Sequence, residues 1–174
     1  MPNWCINYMD VSHQDPAKMQ ELLDAYKAGT MLQYAKPMPK ELNIEKSYGK
    51  VLDDEIVAIR AANKEKYGHE DWYDWRYDNW GTKWDISPST ESVEIEQDGV
   101  VQLQFKTAWC PPIKAFEVLK EQGFHIEVEY TEEGGFFIGY WRDGKEYSCR
   151  PENAPSELSH LVEIWGYHKQ EEAS

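Results

Sequence analysis

The chain has 174 residues and a formal net charge of −14, from 32 acidic and 18 basic residues. Its length suits one domain with a sizeable core, and its charge disfavours direct binding to nucleic acid or anionic lipid because no local basic patch offsets it. No segment is apolar enough to span a bilayer, the opening residues MPNWC do not resemble an apolar signal segment, and the three cysteines form no CxxC pair. We therefore expect a cytoplasmic protein without a metal or a cofactor.

The first predicted elements are a strand over residues 3–11 and an amphipathic helix. Asp15 followed by Pro16 is typical of a helix start, and apolar residues at i, i+3, i+4 and i+7 continue towards Gly29. Residues 30–43 contain two prolines and predict an irregular loop.

A second helix is predicted from Asp53 or Asp54 to a stop at Gly68, because acidic residues favour a helix start and glycine favours a helix end. The tryptophan-rich stretch HEDWYDWRYDNWGTKWD follows at 69–85.

Beyond Pro88 the pattern changes from helical to alternating, which predicts strands. Two strands flank the dipeptide DG at 98–99, a helix follows within 111–123, and a further strand covers 126–130. The segments FFIGYWR and KEYSC predict two more strands, and the apolar spacing within 158–165 predicts a short final helix.

This order of elements predicts an α+β fold, the ferredoxin-like βαββαβ antiparallel sheet with additional C-terminal strands. The helical, tryptophan-rich insertion is expected at about 30–88, within a single domain over residues 1–174. The acidic end of the chain, 168–174, is expected to be a flexible tail.

One face of the predicted sheet is acidic. Apolar strand residues face the two helices, so the residues of opposite parity form the other face. These residues are Glu94, Glu96, Gln102, Gln104, Glu127 and Glu129. An RNA-recognition sheet of the same topology displays aromatic and basic residues on that face, so RNA recognition is disfavoured.

Four segments carry a resemblance to a known family: MPNWCINYMDV at the start, KPMPKEL at 36–42, WYDWRYDNWGTKWD at 72–85 and FKTAWCPPIKAFEVL at 105–119. In them the chain is similar to the YubB ferredoxin-like family of phage and plasmid proteins, and the similarity extends from Met1 to about Trp141. The resemblance implies a ferredoxin-like domain with an inserted helical segment. It implies no activity and no catalytic residues.

The tryptophan-rich stretch has two interpretations. On a helix, its aromatic residues form one ridge and its aspartates form a neighbouring stripe at i, i+3 and i+7. The ridge comprises Trp72, Trp75, Tyr77 and Trp80, and the stripe comprises Asp71, Asp74 and Asp78. The favoured interpretation packs the ridge on the core and leaves the aspartates in solvent, because an ordered insertion must bury something. The alternative is an aromatic groove for a ligand.

Two cysteines, Cys5 and Cys110, each follow a tryptophan, and we expect the two pairs to meet if their strands are neighbours. Buried cysteines usually act as small apolar residues, which is the favoured interpretation. Cys110, just before a predicted helix start, is the candidate for a reactive thiol. The five histidines occur in no ligand motif and are expected at the surface.

The sequence favours a non-enzymatic protein-binding module of a mobile genetic element that acts on a host or defence protein through an acidic surface and the tryptophan-rich insertion. The candidate contact residues are Trp72, Trp75, Asp74, Asp78, Glu94, Glu96, Glu127 and Glu129. Two alternatives stay open: an acidic mimic of nucleic acid that inhibits a DNA-binding host enzyme, and a small enzyme that uses Cys110 or an aromatic pocket. Neither the identity of the partner nor the oligomeric state follows from the sequence.

Overall fold

The computed structural model describes residues 3–46, 53–95 and 99–164, and for 90–95 it describes the backbone. Its strands are β1 (Trp4–Ser12), β2 (Ser87–Ile95), β3 (Val101–Ala108), β4 (His125–Glu132), β5 (Ile138–Arg142) and β6 (Lys145–Cys149). Its helices are α1 (Pro16–Lys27), α2 (Met31–Ala35), α3 (Asp54–Tyr67), α4 (Trp72–Trp80) and α5 (Ile113–Glu121). None of the helices in these ranges is long and apolar enough to cross a membrane.

The six strands form one antiparallel sheet in the order β2-β3-β1-β4-β5-β6. Strands β1 to β4 with helices α1 and α5 make the predicted ferredoxin-like βαββαβ unit, so the α+β fold is confirmed. The hairpin of β5 and β6 extends the sheet beyond β4. Helices α2, α3 and α4 stand between α1 and β2, where the insertion is predicted.

The main core lies on the face of the sheet that α1 and α5 cover. Along β3 alternate side chains are buried, as period-two alternation predicts. Core members from both layers are Met9, Val11, Leu22, Leu103, Phe105, Phe116, Leu119 and Val128. This packing leaves the other face of the sheet, termed here the open face, to polar residues and to the C-terminal segment.

Helix α2 corrects the expectation of an irregular loop over 30–43. It buries Met31, Leu32 and Ala35 in the main core. Thr30 makes no side-chain cap, and the start of the helix is capped from a distance: the two carboxylate oxygens of Asp85 accept the N–H groups of Leu32 and Gln33, each at 2.9 Å. The cap is 53 residues away from Leu32, so no local pattern signals this helix.

The ends of α3 and α4 follow the local signals. Asp53 accepts the N–H of Ile56 at 2.8 Å to cap α3, which ends at Gly68 with φ of +76°. Helix α4 likewise ends at Gly81 with φ of +88°. Near the C-terminus the backbone is helical at 159–164, whereas Trp165 and the predicted tail lie outside the described residues.

Candidate functional site

A row of polar side chains crosses the open face of the sheet. Strand register places Asp10 of β1 opposite Glu127 of β4, and Glu127 opposite Arg142 of β5. On the other side of β1, Asp10 faces Gln102 of β3. The row therefore ends at Arg142 on the β5 side, and Glu127 lies between Arg142 and Asp10.

Glu129 lies one step along β4 from this row and is the centre of a charged cluster. Arg142 donates from Nη2 to Oε1 of Glu129 at 2.5 Å, and Nε2 of His160 lies 2.5 Å from Oε2. The side chain of Glu129 is 23% exposed, whereas that of Glu127 is 68% exposed and is 3.8 Å from Nε of Arg142. Glu129 is therefore compensated by protein groups, and Glu127 has the more accessible carboxylate.

The C-terminal segment covers part of the open face. Leu158 and Leu161 are buried against Ile138 in a second apolar cluster, which Tyr8 and Tyr140 border. Between this segment and the sheet lies a cavity of about 480 Å³. Its lining includes Tyr8, Asp10, Glu127, Glu129, Arg142, His160, Leu161 and Ile164. Burial raises the pKa of Tyr8, so its hydroxyl stays protonated and able to donate a hydrogen bond.

The structure places the predicted acidic residues unequally. Glu127 and Glu129 share the open face, as strand parity predicts. Glu94 is opposite Gln102 on β3, and its side chain is not described. Glu96 and the first residue of the predicted DG turn lie outside the described residues.

The sequence analysis missed three residues of this site: Asp10, Arg142 and His160. Alternation along β1 could have indicated Asp10, because Asp10 and Tyr8 are two residues apart and lie on the same face of the sheet. His160 carried no signal, because its approach to Glu129 depends on the C-terminal segment folding back over the sheet.

The tryptophans of α4 are mainly structural. Trp75 and Trp80 are 6% and 1% exposed and meet edge to face, with ring centroids 5.8 Å apart. Nε1 of Trp80 donates to the carbonyl of Lys36 at 2.8 Å, and Trp72 is half-buried against the core. Three rings of the predicted ridge therefore pack on the core, whereas the fourth, Tyr77, stacks on Trp109.

The aspartate stripe requires one correction. Asp74 and Asp78 are exposed and pair with Lys46 and His69. Asp71, which helical spacing groups with them in solvent, is 1% exposed and lies 2.5 Å from Nη2 of Arg60. It is the N-cap of α4, so its extended backbone turns the carboxylate away from the stripe and into the contact with α3.

Cys5 and Cys110 both lie in settings that favour the protonated thiol. Cys5 is fully buried opposite Thr107, and Cys110 donates from Sγ to the carbonyl of Gly81 at 2.9 Å. Burial raises the pKa of both thiols, which favours the unreactive protonated form. Helix α5 begins only at Ile113, so the predicted helix start does not lower the pKa of Cys110.

Comparisons with known proteins identify a family for the chain. No curated protein matches the chain. Among solved structures, the chain is similar to the crystal structure of a protein api92 from Yersinia pseudotuberculosis, with 11% identity, a TM-score of 0.45, and coverage of 89% of this chain and 100% of that chain. The model of a family described as "Ferredoxin-like domain in Api92-like protein" matches residues 79–166, half of the chain. The chain therefore belongs to this family of ferredoxin-like domains in Api92-like proteins.

Proposed function

We propose that the chain is a non-enzymatic binding module that recognises a basic segment of another protein through the acidic part of the open face. The observation that carries this proposal is the position of Glu127, whose exposed carboxylate lines the cavity opposite Asp10. A lysine or arginine side chain from a partner can pair with the Glu127 carboxylate through a charge-assisted hydrogen bond.

The charge distribution supports a cationic ligand. Arg142 and His160 both approach Glu129 to 2.5 Å, whereas Arg142 stays 3.8 Å from the more exposed Glu127, whose carboxylate can therefore accept a cation from a partner. A cavity of about 480 Å³ is within the usual range of ligand sites, about 300 to 1,000 Å³. The net charge of −14 adds a long-range field that speeds the approach of a basic surface.

The proposed setting is a mobile genetic element, and the proposed partner is a host or defence protein. The support is the resemblance of MPNWCINYMDV, KPMPKEL and the tryptophan-rich stretch to the YubB ferredoxin-like family of phage and plasmid proteins. Within the insertion, Asp74 and Asp78 contribute exposed carboxylates, whereas Trp75 contributes packing.

The test begins with capture of a partner from a bacterial lysate by the full chain, followed by kinetics with the purified partner. Glu127→Lys should slow association about tenfold or more at low salt, because charge complementarity acts mainly on encounter rates. Glu127→Gln should have a smaller effect in the same direction. The difference from wild type should shrink as salt rises.

The matched control is Glu117→Lys, which makes the same charge change at an exposed position on α5, on the opposite side of the sheet. Thermal unfolding of all variants verifies that they are folded. If Glu127→Lys associates at the wild-type rate in low salt, the open face is not the interface and the proposal is wrong.

A second candidate function, the acidic mimic of nucleic acid, is favoured by the net charge alone. The mimic and the binding module predict different partners in the capture experiment. A captured DNA-binding enzyme whose binding is abolished by an excess of duplex DNA supports the mimic, because the two ligands then share one site.

A further inference from the structure

Two tryptophans at the surface share one cation. The ammonium nitrogen of Lys83 lies 4.0 Å from the ring centroid of Trp84 and 3.7 Å from that of Trp109. Both distances are well inside the limit of about 6 Å for a cation–π contact. The two rings are 37% and 42% exposed, so the pair is accessible from solvent. We call the rings of Trp84 and Trp109 the tryptophan pair.

Hydrogen bonds fix the two segments that carry the rings. Trp84 follows α4 and Trp109 follows β3, so they are distant in sequence. The hydroxyl of Thr82 donates to the carbonyl of Ala108 at 2.8 Å, and the contact from Cys110 to the segment after α4 adds a second link. The tryptophan pair is therefore prepared before any ligand binds, which reduces the entropy lost on binding.

The backbone of Trp109 is held in an unfavourable conformation. Its φ is +70°, in the left-handed region that bulky residues rarely adopt. The N–H of Trp109 donates to the carbonyl of Asn3 at 2.9 Å, and its ring stacks on Tyr77 with centroids 6.5 Å apart. Trp84 is similarly supported by Trp4, at 6.1 Å. Backbone strain maintained by surrounding contacts is typical of functional positions.

The ammonium group of Lys83 is held by aromatic rings and not by a carboxylate. Lys18, Lys46, Lys64, Lys66 and Lys120 each form an ion pair. Among the residues that the structure describes, the ammonium of Lys83 forms neither an ion pair nor a hydrogen bond, and its contacts are with the two rings. Its displacement leaves no carboxylate unpaired. Partial burial also lowers the pKa of this amine.

We propose that the tryptophan pair is a binding site for a small quaternary ammonium compound, and that Lys83 occupies the site until such a ligand displaces it. A primary ammonium is strongly hydrated and has three N–H donors that indole rings leave unsatisfied, so it gains less from the two rings than a quaternary ammonium does. A quaternary ammonium has no N–H group and presents methyl groups to the ring faces, and recognition of such ligands by aromatic residues is a common use of cation–π contacts. The strongly negative chain attracts the ligand to this site.

Titration of the full chain with choline tests the proposal, with tryptophan fluorescence and the N-methyl proton signal as readouts. Sodium chloride keeps the ionic strength constant at every point. The neutral carbon isostere 3,3-dimethylbutan-1-ol is the ligand control, because it has the same shape without the charge. Lys83→Ala removes the ammonium that competes for the two rings. This variant should therefore bind choline about tenfold more tightly than wild type does, which is the size of effect expected for one cation–π contact.

Trp109→Gly is the matched loss-of-site variant. It removes one ring, and glycine is the residue best suited to φ of +70°, so this variant keeps the fold. We expect Trp109→Gly to lose saturable choline binding. In Lys83→Ala, we expect the neutral isostere to bind at least about tenfold more weakly than choline does. If choline causes no saturable change in Lys83→Ala, or the isostere binds as tightly as choline, the proposal is overturned.

Discussion

Replacement of Trp80 by alanine should lower the free energy of unfolding by about 4 to 5 kcal/mol. Truncation of a fully buried tryptophan costs about 3 to 5 kcal/mol, and Trp80 is 1% exposed. We place it at the upper end because two further interactions disappear. The edge-to-face contact with Trp75 contributes about 0.5 to 1.5 kcal/mol, and the hydrogen bond to the carbonyl of Lys36 contributes a similar amount.

Urea unfolding followed by circular dichroism measures the effect, with two variants for comparison. Trp80→Phe keeps most of the buried ring and loses the indole N–H, so it should cost about 1 to 2 kcal/mol. Phe136→Ala is the control, since Phe136 is 68% exposed and its truncation should change stability by less than about 0.5 kcal/mol. If Trp80→Ala is as stable as this control, the tryptophan-rich insertion does not depend on the burial of its rings, and the packing argument is wrong.

Two further predictions concern charged groups of the insertion. Asp71→Asn should lower the free energy of unfolding by about 3 kcal/mol in urea, because it leaves the buried guanidinium of Arg60 without its closest partner. Glu21→Gln, which breaks an exposed pair, is the control and should leave stability nearly unchanged; equal losses in the two variants would contradict the buried pair. Partial burial alone would lower the pKa of His69, but hydrogen bonds to Asp78 and to a backbone carbonyl outweigh it and raise the pKa. The pairing of protonated His69 with Asp78 therefore stabilises the fold below the unfolded pKa, and this stabilisation is lost as pH rises through the folded pKa. NMR titration should therefore show a lower pKa for His69 in Asp78→Asn, and this variant should lose more stability at about pH 5.5 than at about pH 8.5; a loss independent of pH would exclude the linkage.

The open face shows which parts of a site local patterns can predict. Glu127 and Glu129 were placed on one face because alternation along a strand depends only on local geometry. Arg142 belongs to the same site through its position opposite Glu127, and that register depends on how the chain turns between β4 and β5. His160 reaches Glu129 only because the C-terminal segment packs on the sheet, which is a tertiary effect without a local signal.

The insertion shows where a local pattern misleads, because helical spacing includes one residue that lies before the helix. Spacing of i, i+3 and i+7 groups Asp71 with Asp74 and Asp78 only if all three are helical. Asp71 has φ of −148° and ψ of −178°, so it precedes the helix as its cap. The sequence does contain the cap signal, but burial of this carboxylate depends on Arg60, whose approach requires the packing of α3 on α4.

The long-range cap of α2 sets an order of events when the chain is synthesised. A helix of five residues is far below the length at which isolated helices are stable, so α2 needs its cap and its core contacts in order to form. Asp85, which supplies the cap, leaves the ribosome after the whole of α3 and α4. Helix α2 therefore becomes stable only after Asp85, which lies just before β2, is available to cap it.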